Sequence, residues 1–106
     1  MFARVARYAV APEKIDEAVE SFREAASSLE QLEGMEGGYV LVDADAGTTI
    51  TLTLWRNQNV MEASETRASI LRQKAAQTAD GQVQSVERFE VAVEFAGDRA
   101  EAAERA

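Results

Sequence analysis

The sequence predicts a single α+β domain, a four-stranded antiparallel sheet with two helices on one face, in the order β-α-β-β-α-β. Three observations predict it. Hydrophobic periodicity alternates along the chain between the two-residue repeat of strands and the three-to-four repeat of helices. Gly, Pro and Asp stand where one repeat gives way to the other. The 106 residues, 46% of them hydrophobic, suffice for one core and not for two.

Residues 2–10, Phe-Ala-Arg-Val-Ala-Arg-Tyr-Ala-Val, hold Val and aromatics without a turn residue and read as the first strand. Pro12 suits a first helical position, where a missing N–H costs nothing, and Glu13, Asp16 and Glu17 complement the positive helix end. Ile15, Ala18, Val19, Phe22, Ala25, Ala26, Leu29 and Leu32 recur at helical spacing and form one buried stripe. The other face carries seven acids and two bases between Glu13 and Glu33, the composition of a solvated surface. Gly34, Gly37 and Gly38 end the helix, and Tyr39-Val40-Leu41-Val42 reads as the second strand.

Asp43-Ala44-Asp45-Ala46-Gly47 has turn chemistry, so the run from Thr48 to Trp55 should pair with the second strand as a hairpin. Alternation puts Ile50, Leu52 and Leu54 on one face and Thr49, Thr51, Thr53 and Trp55 on the other. Asn59 and Glu62 have capping-box spacing, and a second helix is expected from Val60 to about Thr78. Its stripe through Val60, Ser64, Ala68, Leu71 and Ala75 is small-sided, so it should pack thinly or border a cavity. After Asp80-Gly81, Gln84 to Phe95 reads as the last strand, with Phe89, Val91, Val93 and Phe95 on one face. Residues 1–95 form the domain and 96–106 a charged, Ala-rich tail. The order is the ferredoxin-like, split βαβ pattern. It leaves one apolar sheet face uncovered, which predicts a homodimer through that open face.

Composition removes much chemistry. Eleven basic against nineteen acidic residues give a net charge of −8, which disfavours nucleic acid, and the third strand lacks the aromatics of an RNA-binding sheet. The absence of His and Cys excludes Ser-His-Asp catalysis, thiolate nucleophiles and Cys/His zinc sites. Asp43-x-Asp45-x-Gly47 fails as a calcium loop because Leu54 stands where the twelfth-position acid belongs. The cluster Gly34 to Gly38 lacks the Lys-Ser/Thr of a P-loop. No cofactor, metal or haem is therefore expected. Nor is a membrane partner, since Met1 opens directly on a strand and no apolar run approaches the roughly 20 residues of a membrane helix, so the expected location is cytoplasmic.

The lone Trp, Trp55, precedes the polar loop Arg56-Asn57-Gln58-Asn59. A Trp at a strand end commonly fills core. With Thr51, Thr53, Arg4 and Tyr8 on its face and a small-sided helix above, Trp55 could instead wall a cavity for a flat aromatic or hydrophobic ligand.

Over residues 2–95 the chain resembles the antibiotic biosynthesis monooxygenase family of dimeric α/β-barrel proteins. The resemblance rests on a first strand leading into Ala11-Pro12-Glu13-Lys14, a Gly-containing loop before Tyr39-Val40-Leu41-Val42, an Asp/Gly hairpin, and Thr53-Leu54-Trp55-Arg56-Asn57 before the second helix. It implies a homodimer with a pocket in each subunit between sheet and helices. Family members include cofactor-independent oxygenases of polycyclic aromatics and haem-degrading enzymes. The latter use a His, absent here, and an Asn that falls near Ala6 in this chain, so haem turnover is not expected. For groups that would steady an ionised phenol, the resemblance leaves Arg4, Tyr8 and Arg67. Two readings stay open: a dimeric small-molecule-binding protein, or a monooxygenase in which a bound phenol or quinol passes electrons to O₂ while the protein supplies orientation and positive charge.

Overall fold

In the computed structural model, which describes residues 1–97, the first strand lies inside the sheet rather than at its edge. β1 (Phe2–Ala9) pairs antiparallel with both β3 (Thr48–Trp55) and β4 (Gln82–Glu90), and β2 (Met35–Asp43) flanks β3, so the order is β2-β3-β1-β4. A 3₁₀ turn at Pro12–Lys14 leads into α1 (Ile15–Leu29). Two further helices, α2 (Gln58–Ala63) and α3 (Glu65–Thr78), follow β3. This is the predicted ferredoxin-like arrangement.

Register confirms the predicted faces. Arg4 stands opposite Thr53, Ala6 opposite Thr51 and Tyr8 opposite Thr49, which places all of these on the helix side. There Ala6, Tyr8 and Val10 pack with Ile15, Ala18 and Phe22 of α1 and with Ala75, Ala76 and Ala79 at the end of α3. The Tyr8 and Phe22 rings meet at 4.6 Å between centroids, tilted by 49°. On the other side Val5 lies between Leu52 and Glu87, with Tyr39, Leu41 and Phe89 half exposed.

Several boundaries depart from the sequence reading. β2 begins at Met35 rather than Tyr39, so Gly37 and Gly38 lie inside the strand, paired with Leu54 and Thr53 of β3. α1 stops at Leu29 rather than Leu32, because the N–H groups of Gln31 and Leu32 turn to carbonyls three residues back and Gly34 adopts φ +79. A Cβ on Gly34 would strike the Val60 side chain. The helix cap after β3 is Asn57, not Asn59: its Oδ1 accepts from the Val60 N–H at 2.9 Å. The second helix is broken at Ser64. The Met61 carbonyl accepts from Arg4 Nη2 (2.6 Å) and Ser64 Oγ (2.6 Å), two side-chain donors where a continuous helix would offer the Glu65 N–H. β4 starts at Gln82 and ends at Glu90, so Val93 and Phe95 lie outside it at 75% and 90% exposure. The proposed tail at 96–106 falls, from residue 98 on, outside the described residues.

Candidate functional site

Between α1, α3 and the β2–β3–β1 part of the sheet lies a cavity of about 150 Å³. Phe22, Ala25 and Leu29 of α1 form one wall, and Ala68 and Leu71 of α3 the other. The small α3 side chains keep that wall thin, as the sequence predicted. The floor is sheet: Thr51 and Thr53 point into it, and Gly37 and Gly38 leave β2 without side chains there. Gly38 is sterically required, since a Cβ would run into the Leu52 carbonyl.

Polar groups gather on the floor and on the α3 wall. Tyr8 Oη and Thr51 Oγ1 lie 3.1 Å apart, either hydroxyl able to donate. Burial pushes the Tyr8 phenol above the ordinary tyrosine range, against the Thr51 hydrogen bond and the charges of Arg72 and Arg4, so the phenol stays protonated. Arg72, its side chain only 9% exposed, also lines the cavity, and its Nη2 donates to Glu65 Oε1 at 2.8 Å. Arg4 Nη2 and Arg88 Nη2 reach the other carboxylate oxygen at 3.0 and 3.2 Å as ion contacts rather than aligned hydrogen bonds. Three guanidinium groups thus converge on one carboxylate, leaving positive charge in excess within an acidic protein. Burial raises the Glu65 carboxyl, but the Arg72 hydrogen bond and the charges of Arg4, Arg72 and Arg88 outweigh it, holding Glu65 below its ordinary range and ionised. Burial lowers the Arg4 guanidinium from its usual value, with Glu65 pulling it back up.

Of the six side chains expected around the ligand, Tyr8, Thr51 and Thr53 line the cavity. Trp55 does not, and this corrects the reading of it as a wall. It is fully buried, its Nε1 donates to Thr53 Oγ1 at 2.9 Å, and Arg4 Cζ covers the ring at 5.3 Å from its centroid. α2 packs on this end of β1 and β3 and its Met61 carbonyl holds Arg4 down, so Arg4 too lies behind the wall. Arg67 is exposed and lines no part of the cavity. Helical spacing explains why: the inward face of α3 runs through Glu65, Ala68, Leu71, Arg72 and Ala75, and Arg67 falls off it. Arg72 and Glu65 were therefore within reach of the same stripe that identified Ala68, Leu71 and Ala75. Arg88 gave no local signal.

The sequence profile of the antibiotic biosynthesis monooxygenase family matches residues 1–78. No curated protein matches the chain. Among solved structures the chain is similar to a putative antibiotic biosynthesis monooxygenase from Deinococcus radiodurans, with 15% identity, 92% of this chain and 100% of that chain covered, and a TM-score of 0.73. It is also similar to SnoaB, a cofactor-independent oxygenase from Streptomyces nogalater (15% identity, 89% and 95% covered, TM-score 0.68), and to Rv0793 from Mycobacterium tuberculosis (13%, 90% and 98%, 0.67). At such identities these structures establish the shared fold. With the profile spanning most of the chain over the strands and helices that build the cavity, the protein belongs to the antibiotic biosynthesis monooxygenase family.

Proposed function

We propose that this protein is a homodimeric small-molecule-binding protein whose cavity takes a flat aromatic ligand bearing an ionisable oxygen. The observation that carries the reading is the placement of Arg72, a nearly buried cation, on the wall of a mainly apolar cavity, lined by Phe22, Leu29, Leu71 and alanines with Glu30 as its one carboxylate. Apolar walls bind the ring by excluding water, and a few convergent polar groups fix its orientation. Tyr8, Thr51 and Thr53 offer hydroxyls on the floor, and Arg72 supplies the charge that an ionised phenol needs. The dimer is supported by the apolar outer sheet face around Val5, Leu52, Tyr39 and Phe89, which no element of the described chain covers.

Titration calorimetry with a panel of naphthols and hydroquinones tests the binding site. Saturable binding is expected, and Arg72→Ala should weaken the ionised members by about tenfold or more. Equal affinity of wild type and Arg72→Ala for every phenol would overturn the assignment.

A second reading, oxidation of the bound phenol by O₂, is favoured by the excess of guanidinium charge beside the cavity and supported by the likeness to SnoaB. Phenolate is the electron-rich form that gives an electron to O₂, and fixed positive charge stabilises both the phenolate and the superoxide formed. The overall change is balanced when one oxygen atom becomes a ring carbonyl and the other leaves as water, with the phenol losing two hydrogens. Oxygen uptake with the same panel, in the presence of chelators, decides it: uptake above the protein-free rate supports catalysis, and its absence leaves the binding role.

A further inference from the structure

We propose that Glu65 is a positioning residue that holds the Arg72 guanidinium in the orientation the ligand's anionic oxygen meets. The inference rests on the reading of Arg72 as the charge-bearing group of the cavity. Glu65 and Arg72 lie two turns apart on the inward face of α3, joined at 2.8 Å through Oε1. An Arg side chain has several rotatable bonds, and one that must present a fixed fork to a ligand needs a partner that removes this freedom. Oε1 does so from within the same helix. The carboxylate is itself fixed from two other elements, since Oε2 meets Arg4 from β1 and Arg88 from β4. Arg4 is in turn immobilised by the Met61 carbonyl, the Ser64 hydroxyl and the Trp55 ring. A chain of contacts thus runs from the buried Trp55, which does not touch the cavity, to Arg72, which does. The break at Ser64 belongs to the same device, because it ends α2 where Arg4 takes the Met61 carbonyl and starts α3 on Glu65.

Positioning and simple charge balance make opposite predictions. Glu65→Gln removes the one negative charge among three guanidinium groups, which on charge alone should tighten the binding of an anion. If Glu65 orients Arg72, the same substitution should weaken it. Glu65→Asp keeps the charge but draws the carboxylate back from its guanidinium partners by one methylene, so it should also weaken binding if position matters and change nothing if only charge does.

The experiment measures the affinity of the full chain for para-nitrophenolate and for its uncharged ether, para-nitroanisole, in wild type, Glu65→Gln and Glu65→Asp. Absorbance of the bound phenol reports its ionised fraction. Expected are about tenfold weaker para-nitrophenolate binding in Glu65→Gln, about threefold in Glu65→Asp, a smaller ionised fraction in both, and para-nitroanisole affinity within about twofold of wild type. Tighter phenolate binding by Glu65→Gln, with Glu65→Asp unchanged, would overturn the proposal in favour of charge alone. An equal fall for both probes would overturn it in favour of a purely structural role. A wild-type chain that binds neither probe would instead remove the parent reading of the cavity, and the role of Glu65 with it.

Discussion

Trp55 does not line the cavity and Glu65 meets it through its bond to Arg72, so substitutions at each test packing apart from contact. Trp55→Phe is expected to cost about 1–3 kcal/mol in urea unfolding, through the lost Nε1 bond to Thr53 and poorer packing under Arg4, while weakening phenol binding far less than Glu65→Gln, because a Phe ring still lies under Arg4. The acid limb of stability should report Glu65. Its carboxyl titrates below the ordinary range when folded, so the unfolded chain takes up that proton first as pH falls. Its contribution is therefore present above the unfolded value, about 4.3, and is lost as pH falls through the lower folded one. Thermal melts across the acid range should show a flatter limb for Glu65→Gln than for wild type. Tyr8, Thr51 and Thr53 lie on the helix side, where they line the cavity, and this was legible because two-residue alternation decides the face of a strand. The sequence could not place Trp55 or Arg4 relative to the cavity. Both share that face, and what separates them from the cavity is α2, whose position depends on the Met61 carbonyl and the Arg4 guanidinium meeting across the fold.

Element boundaries depend on partners as much as on local sequence. The alternation of Phe89, Val91, Val93 and Phe95 continues past Glu90, yet β4 ends there because β1 begins at Phe2 and offers no further ladder beyond the bond from the Val91 N–H to the Met1 carbonyl. Likewise, both Asn57 and Asn59 are acceptable caps by composition. Asn57 takes the role because β3 ends at Trp55 and the Arg56 N–H is held by the Gly34 carbonyl at 2.8 Å, which turns the chain at once into α2. Asn57→Ala should therefore lower stability by about 1 kcal/mol, and Asn59→Ala by much less, as read from denaturation midpoints. The αβ order, the hairpin at Asp43 to Gly47 and the small-sided second helix were legible because each rests on periodicity or turn chemistry contained in its own segment. The break at Ser64 was not, since its cause is a side chain sixty residues away in sequence.

For the molecule as a whole, the uncovered sheet face is the feature with the largest expected effect. Sedimentation at micromolar concentration should give about twice 11.6 kDa, and Leu52→Glu, which places a charge in the middle of that face, should reduce the mass to that of one chain. A wild-type monomer throughout that range would contradict the dimer. The interior position of β1 bears on how the chain is made. Phe2–Ala9 is synthesised ahead of the other three strands, but one of its two neighbours, Gln82–Glu90, is synthesised after them. The hairpin of β2 and β3 involves only neighbouring residues and can close within microseconds, whereas the middle of the sheet waits for pairings that span nearly the whole chain. During translation one edge of the first strand therefore stays open until β4 emerges, and a nascent chain stalled in α3 presents an unpaired strand to its neighbours on the polysome.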